Sequence, residues 1–193
     1  MFIIMGEESA DGGIRMKWKL FFLAAAFLIL SGCSTATMGQ AIDAGIPFNV
    51  KEVLHKEKVK DGVILLYLTQ QYDGQNEVEA LAAAYLKGSD KKGWKNEGHN
   101  HWEYYEHEHM TVYSDTFYDY DKEGNLENRL PIIFGEIQSG DIKKVEVAGK
   151  EEKFEEAAII KKENKRYYFK MGDYHTARGL SADGKEIMKK KKN

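Results

Sequence analysis

The sequence predicts a mainly β fold of antiparallel strands, with α+β as the variant if a short N-terminal helix precedes them. Three observations carry this. Short apolar runs recur at regular spacing from Val63 onward; turn signals such as Tyr72-Asp73-Gly74-Gln75-Asn76 and Asp121-Lys122-Glu123-Gly124-Asn125 separate them; and aromatic residues make up 12% of a chain with only two prolines, Pro47 and Pro131. Short, evenly spaced strands bounded by turn residues are the mark of antiparallel β structure.

Met38 to Ala44 has the length for one or two helical turns. Val63 to Leu68 is an apolar strand, and Ala80 to Leu86 is its return across the turn at residues 72–76. The alanines favour a helix there, but Gly88 and Gly93 follow closely and pairing with the preceding strand is the simpler topology. Gly93-Trp94-Lys95 opens a further strand, and His101 to Phe117 alternates aromatic and polar residues as a long strand or a hairpin would. Beyond the turn at 121–125, strands are expected at Ile132 to Phe134, Ile142 to Val147, Ala157 to Lys161 and Arg166 to Lys170. A last hairpin would turn on Asp183-Gly184, a favoured two-residue pair. Composition shifts at Pro131, so residues 46–130 and 131–188 form two parts of the β-rich region. Residues 189–193 are expected as a solvated basic tail, with attraction to anionic lipid as the alternative.

Ahead of these elements lies a segment of another kind. Met16-Lys17-Trp18-Lys19 is basic, Leu20 to Leu30 is unbroken apolar sequence, and Ser31-Gly32 precede Cys33, the only cysteine of the chain. A basic stretch, a short apolar run and small residues make a secretory signal, here residues 1–32. The run falls short of the ~20 apolar residues a membrane-spanning helix requires. Residues 1–15 carry acids, so the signal proper is expected to start near Met16. Leu30-Ser31-Gly32-Cys33 resembles the bacterial lipobox. That resemblance implies cleavage after Gly32, a diacylglycerol thioether on Cys33 and acylation of the new amino group, with residues 33–45 as a lipidated tether. Two or more acyl chains hold a protein stably, whereas one binds reversibly.

Removal of the signal leaves about 160 residues, enough for a real core, and the charges of residues 1–32 cancel, so the formal net charge stays at −3. Near balance of charge argues against nucleic acid as a partner. With Cys33 acylated, neither disulfide bonding nor thiol chemistry is available. Leu54 to Val63, Gly93-Trp94-Lys95, Ile133 to Ile137 and Asp183 to Ile187 also resemble, loosely, small uncharacterised lipoproteins of Gram-positive bacteria. This likeness implies an exported, anchored β-rich domain and transfers no functional residue.

His99, His101, His107 and His109 place four of the six histidines within eleven residues. On one strand all four would share a face, and on a hairpin turning near Glu103 to Tyr105 they would face one another in pairs. Either arrangement would suit zinc, copper or nickel, for which neutral imidazole is a good ligand; the competing reading is a wet polar edge. Asp119-Tyr120-Asp121-Lys122-Glu123-Gly124 imitates the start of a calcium loop, but its twelfth position is Leu130 rather than the closing Glu, which leaves a plain acidic turn. Trp94, Trp102, Tyr104, Tyr105, Tyr113, Phe117, Tyr118 and Tyr120 are candidates for a sugar-stacking face or for core. No hydrolase, zincin, phosphate-loop or C-x-x-C motif is present, so no catalytic residue and no cofactor are indicated. The expected function is that of an extracytoplasmic binding or interaction module, held to the cell membrane by its lipid anchor and facing an envelope protein or a cell-wall ligand. A metal-binding lipoprotein or metal-dependent hydrolase built on the four histidines is the alternative.

Overall fold

Thr37 begins the chain that the computed structural model describes, residues 37–191. The expected signal, the lipidation site Cys33 and the first part of the tether lie outside the described residues. Thr37 caps α1 (Met38–Gly45) through a reciprocal box: its side chain accepts from the Gln40 backbone N–H and the Gln40 side chain accepts from its own, each at 3.2 Å. Such a box satisfies two N–H groups that would otherwise be orphaned. Ile46 is already extended, as a residue before proline prefers. Among the described residues this is the one helix, and it matches the short helix the sequence allows for.

The first sheet is a meander of β1 (Val50–Val59), β2 (Gly62–Asp73), β3 (Asn76–Ser89) and β4 (Gly93–His99), paired in that order. The β2–β3 hairpin runs in unbroken register from Gly62/Lys87 to Asp73/Asn76 and turns on Gly74-Gln75, with Gly74 at φ +63°. Glycine at the first central position is what a primed two-residue turn demands. The alanine run is therefore a strand: Ala83 faces one hydrophobic cluster, and Ala82 and Ala84 face another on the opposite side of the sheet. A strand buried on both faces reads as a continuous apolar run rather than an alternating one.

The second sheet pairs β5 (Tyr113–Tyr120), β6 (Leu126–Glu136), β10 (Lys165–Met171) and β9 (Ala158–Lys162) in that order. The third pairs β12 (Glu186–Lys191), β11 (Thr176–Leu180), β7 (Lys144–Ala148) and β8 (Phe154–Glu156). All pairs in the three sheets are antiparallel. Ile64, Leu66, Ala83 and Tyr85 of sheet one pack on Tyr113, Phe117, Phe134 and Phe169 of sheet two. The other side of sheet two, through Ile133 and Tyr168, packs on Val145, Val147 and Ala177 of sheet three. Sheet two is thus the middle layer, and α1 covers the outer side of sheet one through Ala41. The chain switches sheets at Ala157, a buried residue between β8 and β9 whose N–H still donates to Val145 at 2.9 Å. Pro131 lies within β6 opposite Thr116, just before pairing with β10 starts at Ile132, where a missing N–H breaks no ladder bond on that side.

Four expectations differ from the structure. Residues 100–112 are not a strand: they make only isolated bridges, Leu81 with Glu103 and Met110 with Ile137, before β5 opens at Tyr113. The segment has to leave the edge of sheet one and enter sheet two, so it cannot keep one ladder. Strand β1 was not expected, because two register shifts, at Val50/Glu52 and Val53/His55, break the alternation by which a half-buried strand is read. Asp183-Gly184 is not a two-residue turn. Ser181 N–H donates to Lys185 at 2.9 Å and Gly184, at φ +82°, occupies the left-handed position of a longer turn. The basic run expected as a solvated tail is edge strand β12 as far as Lys191, with Lys190 donating to the Tyr105 hydroxyl and Lys189 lying 5.2 Å from the Phe154 ring centroid.

Candidate functional site

The four histidines fall into two pairs. His99 ends β4, its ring edge-on to Phe48 at 5.8 Å and its Nδ1 accepting from Asn96 at 3.2 Å; burial, then the neighbouring His101, pushes its pKa below the ordinary value. His101 is exposed. His107 and His109 have ring centroids 6.1 Å apart, and the His109 backbone N–H donates to His107 Nδ1 at 3.1 Å. His109 Nδ1 is buried without a hydrogen-bond partner among the described residues. Among the described residues, no group of three or more His, Cys, Asp or Glu side chains is placed to hold a metal ion. The physical reason is the absence of a continuous strand over residues 100–112: without its alternation nothing gives the 99/101 pair and the 107/109 pair one common face.

The acidic stretch at 119–125 divides its carboxylates. Asp121 closes its own turn, accepting from the Asn125 backbone and side chain at 2.7 and 2.8 Å. Asp119 points the other way, is 1% exposed, and accepts from Lys87, Asn128 and Tyr85 at 2.6, 3.2 and 3.3 Å. Of the aromatic row, Trp94, Tyr113 and Phe117 are core, while Tyr118 and Tyr120 are exposed on β5. The row therefore forms no continuous stacking face.

A different constellation stands out at the end of sheet one where the β1–β2 and β3–β4 turns meet. The two turns are tied by the Gly88 N–H donating to Asp61 at 2.8 Å. A cavity of about 790 Å³ opens there, and its lining includes five lysines, Lys56, Lys58, Lys60, Lys87 and Lys92, against two acids, Asp61 and Asp90. Both acids are partly engaged: Asp90 accepts from the Trp94 indole at 2.8 Å, and Asp61 lies 3.9 Å from Lys60. Lys87 is turned inward to Asp119, whose hydrogen bond raises the lysine pKa above its usual value. Lys56, Lys58 and Lys92 are exposed and make no ion pair among the described residues. Lysines away from this end are divided: Lys51 and Lys165 share Glu79, Lys162 meets Glu52 and Lys144 shares Glu146 with Arg178, whereas Lys122, Lys150, Lys153, Lys161 and Lys185 also make no ion pair among the described residues; what sets this end apart is that its unpaired lysines line one cavity. Lys56-Glu57-Lys58-Val59-Lys60 carries the signal for this row, since alternate residues of a strand share a face; recognising it required recognising β1.

No helix among the described residues is long and apolar enough to cross a membrane. Comparison of the chain with known protein families, with curated proteins and with solved structures returns no match.

Proposed function

We propose that the protein is an exported lipoprotein, anchored through acylated Cys33 at the extracytoplasmic face of the cell membrane, whose β-rich domain is a binding or interaction module for an envelope protein or cell-wall ligand. The observation that carries the reading is Leu30-Ser31-Gly32-Cys33 at the end of a basic-then-apolar approach. Two further features support it. The domain has no cysteine of its own to compete for the acyl chemistry, and the cavity at the β1–β2 and β3–β4 turns is lined by five lysines and two acids, Asp61 and Asp90, that are both already engaged. A metal-dependent alternative would need a third ligand beyond either histidine pair.

Cys33→Ala tests the anchor. The variant is expected to accumulate as uncleaved precursor and to take up no label from a palmitate analogue in growing cells. Processing and labelling equal to the wild type would refute the lipoprotein reading.

A further inference from the structure

Register places the free lysines on a definite side of the molecule. Lys56 and Lys58 of β1 stand opposite Leu65 and Val63 of β2, and directly opposed residues project from the same face. Leu65 and Val63 belong to the cluster under α1, so Lys56 and Lys58 rise from the α1 side of sheet one. Lys60 continues the row into the β1–β2 turn, and Lys92 adds its charge from the β3–β4 turn. Met38, the first residue of α1, lines the same cavity. Four residues separate it from Cys33, and the five residue-to-residue steps between them reach at most ~18 Å when fully extended.

We propose that this lysine-bearing end is the membrane-facing pole of the domain, where Lys56, Lys58, Lys60 and Lys92 receive the phosphates of anionic phospholipid headgroups. The proposal rests on the Cys33 anchor, which fixes how far this end can stand from the bilayer. A chain of net charge −3 has no general attraction to an anionic surface, so the docking has to be local. Lysines already satisfied by carboxylates gain little from a phosphate, whereas Lys56, Lys58 and Lys92 have no such partner among the described residues. Each basic residue near an anionic leaflet strengthens attachment about fivefold, the equivalent of ~1 kcal/mol. That attraction decays over a Debye length of ~8 Å at physiological salt, so it needs the anchor to bring the lysines close. The anchor supplies proximity, and the lysine row selects one orientation.

The test uses the full-length lipidated protein in vesicles of phosphatidylcholine alone or mixed with phosphatidylglycerol. Amine acetylation is followed lysine by lysine by peptide mass spectrometry. Phosphatidylglycerol is expected to slow labelling of Lys56, Lys58, Lys60 and Lys92 about fivefold or more, to leave Lys150 and Lys185 unchanged, and to lose its effect in 1 M salt, where the Debye length is ~3 Å. In the Lys56→Gln/Lys58→Gln/Lys92→Gln variant, Lys60 should label at the phosphatidylcholine rate in both vesicles. Equal labelling in both vesicles, with Cys33 shown by mass to carry its lipid, would overturn the docking while leaving the anchor intact. A Cys33 peptide without lipid would overturn the anchor, and the docking with it. Protection of the same lysines by soluble polyphosphate but not by phosphatidylglycerol would assign the face to an anionic wall polymer and overturn the membrane assignment.

Discussion

Asp119→Asn tests the joint between sheets one and two. The carboxylate, 1% exposed on β5, accepts from Lys87 and Tyr85 of β3 and from Asn128 of β6. Asparagine keeps one acceptor oxygen for Tyr85 or Asn128 but presents no charge to Lys87, which is left with Glu127 at 3.6 Å. Breaking a buried ion pair from one side costs about 3–5 kcal/mol. Lys87 is 29% exposed, so water recovers part of its share and the lower figure applies. At about 3 kcal/mol, and 2–4 °C per kcal/mol for a domain of this size, Tm should fall by ~6–12 °C. Burial raises the Asp119 pKa, but the hydrogen bonds from Lys87 and Asn128 and the lysine charge outweigh it and hold the group below its ordinary 3.8. A depressed carboxyl stabilises the fold above its unfolded pKa, and that stabilisation disappears as pH falls through the folded value. The gap between wild type and Asp119→Asn should therefore be constant near neutrality and close in acid, below pH 3.8. Urea unfolding followed by circular dichroism at both pH values, with Lys87→Met completing a double-mutant cycle, measures it. A neutral-pH loss under ~1 kcal/mol, or a gap that widens in acid, would refute the assignment.

Two further perturbations probe how the middle layer is locked. Gly135→Ala should cost about 3 kcal/mol or prevent folding, because an added Cβ would lie 2.1 Å from the Thr111 carbonyl oxygen and 2.7 Å from the Tyr168 ring; soluble yield and Tm report it, and an unchanged Tm would mean that the segment around Thr111 moves away from β6 easily. Arg166→Met should cost about 2 kcal/mol, since the guanidinium donates to the carbonyls of Ile142, at 2.5 Å, and Ser139. Faster amide exchange at Ile142, whose N–H donates to Ser139 at 3.3 Å, should accompany the loss. Protection equal to the wild type would show that this loop holds itself.

The composition and patterning of the chain, without coordinates, were enough for the antiparallel β class, the short helix after residue 37 and most strands after residue 62. Those properties are local: apolar runs such as Val63 to Leu68, Gly74 at a turn and Thr37 with Gln40 at a cap act within a few residues of themselves. The lipobox resemblance is local in the same sense, because it rests on four consecutive residues, Leu30-Ser31-Gly32-Cys33. Tertiary structure alone decided which strands share a sheet, that sheet two lies in the middle, and where the chain passes between layers at 100–112 and at Ala157. The histidines show the difference most plainly. Their spacing promises convergence only on a regular strand, and the demand to carry the chain from sheet one to sheet two removes that strand. The lysine row shows the reverse, because two bulges hide β1 from a reading by period while its register with β2 sets Lys56 and Lys58 on one side. Side-chain period is a property of a straight ladder, whereas bulges, crossings and sheet order are settled by packing between residues far apart in the chain.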